Sequence, residues 1–184
     1  NKGLEGWIAR ELPHYSEYRC RLIVSVSGRT AEEYRDLVGR LSEFPRIDAF
    51  ELNISCPNVS HGCDYGTDPA LTEKVVRIAK AATKKPVIAK LTPNVADIVK
   101  IADGALQGGA DAISLVNTLK GMAIDWRRRK PCLGAGTGGL SGPAIKPVAL
   151  RMVWEVCSRF PKAPVVGIGG ISTADDVLEF LVAG

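Results

Sequence analysis

The 184-residue sequence has only two histidines, His14 and His61, and none of its five cysteines forms a C-x-x-C pair. With no second histidine near either one, a histidine-based metal site or a Ser-His catalytic pair has no support. The missing C-x-x-C pairs argue against an internal zinc ribbon or iron–sulfur cluster. An odd number of widely spaced cysteines fits reduced thiols in a cytoplasmic protein better than a disulfide framework. We therefore predict no metal site in this chain.

Long apolar runs and a strong charge are also missing. No stretch approaches the roughly 18 apolar residues of a membrane span, and the amino terminus lacks the basic-then-apolar pattern of a signal peptide. The formal net charge is only +4, and basic residues are concentrated only in the run Trp126–Lys130. Nucleic-acid binding needs a larger basic face on a recognisable module. We therefore expect no membrane or nucleic-acid partner, and a cytoplasmic location.

The sequence does contain five successive units in which a short apolar run precedes a helical pattern. The predicted strands are 21–28, 49–55, 86–91, 112–117 and 164–167. Helix starts are predicted at Thr30, at Asp68 followed by Pro69, at Asn94, near Ala144 and at Ser172. These starts rest on capping residues followed by apolar positions at helical spacing. Such short apolar runs are typical of buried parallel strands, so the fold class is α/β.

Two α/β architectures compete, a doubly wound sheet and a (β/α)8 TIM barrel. Polar or glycine residues fall at the carboxyl ends of four predicted strands, at Asn53, Lys90, Asn117 and 167–170. A barrel collects such strand ends in one site, whereas an open sheet leaves them along an edge. We therefore favour a single barrel domain over residues 1–184. About five of its eight units are recognisable, so we expect the first two strands and the last to be absent and the chain to be part of a longer protein.

Two glycine-rich stretches and one lysine are candidates for binding an anionic group. Glycines are concentrated in 134–142 and in 167–170, each before a predicted helix. Bare N–H groups at such positions could hold a phosphate, although glycines also simply shape turns. Lys90 lies in an apolar strand, where an amine needs a partner or an anion. It could stabilise developing negative charge, or it could reach solvent from the strand end.

The stretch "ELNISCPNVSHGCDYG", residues 51–66, places Cys56 before a proline, with Asn53 and Asn58 on either side. Asparagine offers both donors and acceptors, which suits a flat polar ring bearing amides or a carboxylate, and Asn117 has the same character. Each asparagine alone could equally satisfy a turn, and a lone Cys56 could be an inert buried thiol. The residues by themselves leave both readings open.

The motifs "NISCPNVSHG", "AKLTPNV", "SLVNTLKGM", "GGLSGPAIKPVALRMV" and "VVGIGGIST" occur in this order along nearly the whole chain. Together they resemble the FMN-dependent dihydroorotate dehydrogenases, most closely the class 1B catalytic subunit. The resemblance implies an oxidoreductase of pyrimidine (UMP) biosynthesis that oxidises dihydroorotate to orotate. It also implies a homodimer in the complete protein and a partner subunit carrying FAD and a 2Fe-2S cluster, which passes electrons to NAD.

The resemblance also implies roles for individual residues. Cys56 is the base that removes a proton from C5 of dihydroorotate while a hydride leaves C6 for FMN. The substrate-binding residues are Asn53, Asn58, Asn117 and Thr118. The FMN-binding residues are Ser25, Asn53, Lys90, Val116, Gly142, Gly169 and Gly170. Ser25 stands where an asparagine is expected, so its contact with FMN is the weakest of these assignments.

Two other functions remain open at this point. The pyrimidine-reducing domain of dihydropyrimidine dehydrogenase shares S-C-P and the K-L-T-P-N stretch, but usually has histidine after S-C-P, where this chain has Asn58. A non-catalytic, truncated flavin-binding barrel is the second alternative. The joint presence of Cys56, Lys90 and Asn117 argues against it.

Overall fold

The computed structural model describes residues 3–55 and 65–184 of the chain. Two short helices, α1 (Gly3–Arg10) and α2 (Leu12–Tyr15), precede the first strand. The following strands and helices alternate as β1 (Ile23–Val26), α3 (Ala31–Ser42), β2 (Ala49–Asn53), α4 (Pro69–Ala81), β3 (Val87–Leu91), α5 (Ile98–Gln107) and β4 (Ala112–Leu115). After four short strands come a 3-10 turn (Pro143–Ile145), α6 (Lys146–Arg159), β9 (Val165–Gly167) and α7 (Ala174–Ala183).

The main sheet has five parallel strands in the order β1-β2-β3-β4-β9, so each strand pairs with the one before it in the alternating pattern. A doubly wound sheet reverses its order at a switch point, whereas a barrel adds each new strand to the same side. The doubly wound alternative is therefore wrong, and the α/β class with barrel topology is confirmed. Consecutive helices from α3 to α7 also pack against each other in chain order.

The segment between β4 and α6 differs from the long glycine-rich loop that the sequence predicts. It contains four short strands, β5 (Leu119–Gly121), β6 (Ile124–Asp125), β7 (Lys130–Pro131) and β8 (Gly138–Leu140). β5 pairs antiparallel with β8, and β6 with β7. Runs of two or three residues with several glycines carry no period-2 pattern, so the sequence offers no strand signal here.

Helix starts depend on competition between local and distant partners. Asp68 caps α4 through the Leu71 N–H, as predicted. The predicted cap at Asn94 is wrong, because Asp97 caps α5. The side chain of Asn94 instead bonds to the backbone beyond β4, at Thr118 and Lys120.

The last helix differs in the same way. The predicted cap at Ser172 is wrong by one residue, because Thr173 accepts from the Asp176 N–H and forms a reciprocal capping box with that residue. α7 buries Phe180, while the apolar side chains of Val177, Leu178 and Leu181 are exposed.

The hydrophobic core lies between the sheet and the helices. Alternate residues of β3, Val87, Ala89 and Leu91, are fully buried. Their neighbours Ile88 and Lys90 point to the opposite face, because successive side chains of a strand alternate. On the adjacent strands Phe50, Leu52, Ile113 and Leu115 belong to the same core cluster. The face away from the helices carries polar side chains, among them Lys90. Among the described residues, no helix is both long and apolar enough to span a membrane.

Candidate active site

Polar side chains from three neighbouring strands lie side by side on the face of the sheet opposite the helices. Asn53 is the last residue of β2 and pairs in register with Lys90 of β3, which pairs in turn with Ser114 of β4. Because parallel strands in register align their side chains across the sheet, the three residues form one row. The expected grouping of strand-end residues in one place is therefore present for these strands.

Asn117 joins the ends of β2 and β4. Its Nδ2 donates hydrogen bonds to Asn53 Oδ1 at 2.9 Å and to Ser55 Oγ at 2.7 Å. Its Oδ1 accepts from the Thr118 N–H at 2.8 Å, and its own backbone N–H donates to Leu91 O. Asn53, Asn117 and Thr118 are thus brought together; groups at the end of β2 hold the Asn117 side chain, and Leu91 of β3 holds its backbone N–H.

The backbone on both sides of residues 56–64 is anchored by two tyrosines. The buried Tyr34 donates from its hydroxyl to Asn53 O at 2.6 Å, just after which β2 ends. The Tyr65 ring packs edge-on against Tyr34, with centroids 6.2 Å apart. Tyr65 also accepts a hydrogen bond from the Ala31 N–H and one from the Thr72 hydroxyl. Cys56 and Asn58 lie outside the described residues.

Glu51 was missed by the sequence analysis, and it is the centre of the polar cluster on this face. Its carboxylate accepts from Ser25 Oγ at 3.3 Å and from Ser114 Oγ at 3.0 Å. Lys90 Nζ lies 3.5 Å from Glu51 Oε1, with the two side chains only 23% and 17% exposed. A carboxylate in the middle of an apolar strand was the signal that could have identified it.

Asn94 was also missed as a residue that supports the site. Its Nδ2 donates to Thr118 O at 3.0 Å and to Thr92 Oγ1 at 2.8 Å, and its Oδ1 accepts from the Lys120 N–H at 2.8 Å. This links the turn after β3 to the chain that follows Asn117. The sequence showed an asparagine in the K-L-T-P-N stretch but did not indicate a partner this far away.

The two glycine-rich stretches meet at the other end of the site. Gly142, Gly169 and Gly170 have φ values of +85°, +126° and +74°, which L side chains rarely adopt. A Cβ on Gly170 would lie 2.8 Å from Lys146 N and 2.9 Å from Gly142 O. The two glycine-rich segments therefore lie so close together that a residue with a side chain would clash at position 170. Val116 is tied to the second stretch, because its N–H donates to Ile168 O at 2.9 Å.

Lys146 connects the starts of the two helices that follow the glycines. Its Nζ lies 2.6 Å from Asp176 Oδ1 and 2.8 Å from Glu179 Oε2. The hydrogen bond from Lys146, together with those from Ser172 and Thr173, holds the pKa of the Asp176 carboxyl well below its usual range. Hydrogen bonds to Asp176 and Glu179 raise the pKa of Lys146. The pair fixes α6 and α7 next to Gly142 and Gly170.

The described residues contain no group of three or more histidine, cysteine, aspartate or glutamate side chains that could hold a metal ion. Two surface depressions lie away from the polar row. One, of about 790 Å³, is lined by residues of the β6–β7 region, and the other, of about 860 Å³, lies between α6 and α7. Neither is lined by Asn53, Lys90 or Asn117, so the candidate site rests on the strand-end groups and not on the depth of a pocket.

Comparison with known proteins identifies the family of the chain. The sequence model of the dihydroorotate dehydrogenase family matches residues 1–184. The chain is 55% identical to the catalytic subunit of dihydroorotate dehydrogenase B (NAD(+)) of Pelobacter propionicus and 50% identical to that of Geotalea daltonii. Each match covers 100% of this chain and 60% of the relative, so the chain spans about 60% of the length of these proteins.

A solved structure of DHODH from Eimeria tenella in complex with ferulenol superposes with a TM-score of 0.72. The match covers 98% of this chain and 53% of that one, at 21% identity, which supports the shared fold alone. The five-stranded sheet with its helices is consistent with part of a TIM barrel of this type. With the whole chain matched by one family and more than half of its residues identical to one relative, the chain belongs to the dihydroorotate dehydrogenase family.

Proposed function

We propose that the complete protein oxidises dihydroorotate to orotate with FMN as its cofactor. The observation that carries the proposal is the hydrogen bond between the side-chain amides of Asn53 and Asn117. Asn53 ends β2 and stands three residues before Cys56 in the sequence. Family membership gives the reaction class, and relatives at 50–55% identity are named as dihydroorotate dehydrogenase B catalytic subunits. Because the chain spans about 60% of those relatives, the activity is proposed for the whole protein.

The substrate is held by amide and hydroxyl groups in this proposal. Asn53, Asn58, Asn117 and Thr118 offer the donors and acceptors that a dihydropyrimidine ring and its carboxylate require. Cys56, as thiolate, takes the proton from C5, and the hydride from C6 leaves with its electron pair, so that C5 and C6 become doubly bonded. FMN supplies the hydride acceptor when it is bound. The hydrogen bonds of Asn117 to Asn53 and Ser55 orient its amide before substrate arrives.

The residues present fit a phosphorylated flavin. Gly142 and Gly170 lie so close together that a Cβ on Gly170 would be 2.9 Å from Gly142 O, and Gly169 also has positive φ. Gly142 precedes α6, and the amino terminus of a helix favours a phosphate. Before α7, the N–H groups of Ser172 and Thr173 are already bonded to Asp176. Lys90 supplies a cation on the inner face of the sheet for the negative charge that develops on the flavin ring. Ser25, Asn53 and Val116 complete the proposed FMN contacts.

A partner subunit follows from the names of the relatives, which are catalytic subunits of NAD(+)-dependent enzymes. We propose that electrons pass from FMN to NAD through a subunit that holds FAD and a 2Fe-2S cluster. We also propose that the complete protein is a homodimer located in the cytoplasm. The single domain over residues 1–184 is proposed as the FMN-binding part of the barrel.

The reaction is tested with the complete protein under anaerobic conditions. Dihydroorotate should bleach the absorbance of bound FMN and yield orotate, and addition of the partner subunit should couple this to NAD reduction. Dihydrouracil separates the dihydropyrimidine dehydrogenase alternative, because that enzyme acts on pyrimidines without the carboxylate. Bleaching by dihydrouracil but not by dihydroorotate would support that alternative, and bound FMN that neither compound reduces would support a non-catalytic barrel.

A further inference from the structure

We propose that Glu51 is a positioning residue that holds Lys90 and offsets its charge beneath the flavin, so that this carboxylate sets how strongly the site favours a negatively charged flavin. The inference rests on the proposed function, because it places FMN against Lys90. It concerns a residue to which neither the motifs nor the family resemblance gave a role.

The geometry makes Glu51 of β2 a shared partner of three other strands, β1, β3 and β4. Ser25 of β1 and Ser114 of β4 donate to different oxygens of the carboxylate, at 3.3 Å and 3.0 Å. Lys90 of β3 places its Nζ 3.5 Å from Oε1. Two serine hydroxyls on opposite sides fix the carboxylate, so the ammonium group of Lys90 meets a fixed negative charge and not a mobile one.

Burial gives this ion pair more weight than a surface pair. The side chains of Glu51 and Lys90 are 17% and 23% exposed, whereas the surface pair Arg40–Glu43 is 41% and 63% exposed. Coulomb energies grow as the surrounding dielectric falls, and salt screens a partly buried pair less. A bound flavin would cover the row further and strengthen the effect.

The charges of Glu51 and Lys90 give the direction of the expected effect on the flavin. With Glu51 ionised, Lys90 and Glu51 sum to zero beside the flavin, and without the carboxylate the pair carries +1. A net positive charge stabilises a flavin that has gained negative charge, either by reduction or by addition of sulfite at N5. Glu51 therefore opposes both processes, and its presence keeps the flavin able to pass electrons onward.

A purely structural role would give a different result. If Glu51 only ties β1 to β4, its removal would lower thermal stability and leave the affinity of the flavin for sulfite unchanged. Glu51→Gln separates the two roles, because the amide keeps an acceptor for a serine and nearly the same shape while removing the charge. Lys90→Met removes the opposite charge from the same pair.

The test measures sulfite affinity and flavin midpoint potential in the complete, FMN-loaded protein and in Glu51→Gln, Lys90→Met and the double variant. Glu51→Gln should bind sulfite about tenfold more tightly and have a more positive potential, and Lys90→Met should bind it more weakly. The gain from Glu51→Gln should be at least about threefold smaller when Lys90 is already Met, because part of the effect acts through Lys90. Glu43→Gln, which breaks an exposed pair, should match wild type.

Wild-type sulfite affinity in FMN-loaded Glu51→Gln, or an equal gain on both Lys90 backgrounds, would overturn the inference. If Glu51→Gln does not fold, Glu51→Asp is used instead, because its shorter side chain moves the carboxylate away from Lys90 by one methylene. This variant should bind sulfite a few-fold more tightly than wild type, and wild-type affinity in Glu51→Asp would also overturn the inference. Reduction of wild-type FMN by dihydroorotate is scored separately. If dihydroorotate reduces wild-type FMN but Glu51→Gln leaves sulfite affinity unchanged, only the inference about Glu51 is rejected. If the complete protein contains no FMN, both the proposed function and the inference are rejected.

Discussion

The side-chain amide of Asn117 donates to the side-chain oxygen of Asn53 at 2.9 Å, although 64 residues separate the two in sequence. The bond joins the ends of strands β2 and β4, which lie on either side of β3 in the sheet. Each amide therefore limits the orientation of the other before any substrate binds. Preorganised polar groups of this kind bind a ligand without a further ordering cost.

The coupling between these two amides is testable with a double-mutant cycle. Asn53→Ala and Asn117→Ala should each weaken orotate binding about tenfold, the effect of losing roughly 1 to 1.5 kcal/mol of hydrogen bonding. The double variant should lose less than the sum, because each single change already disturbs the partner amide. Orotate affinity is measured from the change in flavin absorbance. Gln107→Ala, on the exposed end of α5, is the control, and strict additivity would contradict the coupling.

The role of Cys56 as catalytic base remains a prediction, and replacing the residue tests it directly. Cys56→Ala should retain FMN while dihydroorotate reduces it at least about 100-fold more slowly at neutral pH, because positioned bases contribute on this scale. An unperturbed thiol has a pKa of about 8.5, so a thiolate base is accessible near working pH. Anaerobic stopped-flow measurement of flavin bleaching gives the rate. Cys132→Ala, which changes an exposed thiol, should behave as wild type; equal rates for both variants would reject the assignment.

Two glycine replacements should have opposite effects on stability, because only Gly170 lies where the two glycine-rich stretches approach each other. Gly170→Ala should weaken FMN binding about tenfold or more and lower stability, because φ is +74° and a Cβ would press on Lys146 N at 2.8 Å. Gly39→Ala, within α3, meets only Ala82 Cβ at 3.9 Å and should stabilise the protein by about 0.5 to 1 kcal/mol. FMN fluorescence titration and urea unfolding measure the two effects. Tight FMN binding by Gly170→Ala would argue against a phosphate cradle here.

The Lys146–Asp176 pair predicts a defined pH dependence of stability. The pKa of Asp176 is lowered in the folded protein, so its carboxylate adds stability above its unfolded pKa of about 3.9 and loses this contribution as the pH falls further. Asp176→Asn should therefore lower the unfolding midpoint in urea at pH 7 and pH 5 by similar amounts, with the difference from wild type narrowing below about pH 4.

Asp175→Asn is the matched control for that measurement, because Asp175 is the exposed neighbour of Asp176 on the first turn of α7. It should leave the unfolding midpoint close to wild type across the same pH range. A difference between Asp176→Asn and wild type that grows as the pH falls below 4 would contradict the assigned direction of the pKa.

The sequence by itself determined the alternating elements of the fold. Short apolar runs separated by capped helical patterns are local signals, and Asp68 with Pro69 starts α4 where predicted. The strand-end positions of Asn53, Lys90 and Asn117 followed from the same reading. Grouping them in one place required only that parallel strands end on the same side.

Only the tertiary structure decided which distant groups meet. The strand order that rejects the doubly wound sheet, the four-strand cluster around Glu51 and the close approach of Gly170 to Gly142 all involve segments far apart in sequence. Asparagine is a common helix cap, yet the side chain of Asn94 donates to Thr118 O beyond β4, and Asp97 caps α5. Local propensity is a weak preference, and a hydrogen bond to a fixed backbone group in the folded chain outweighs it.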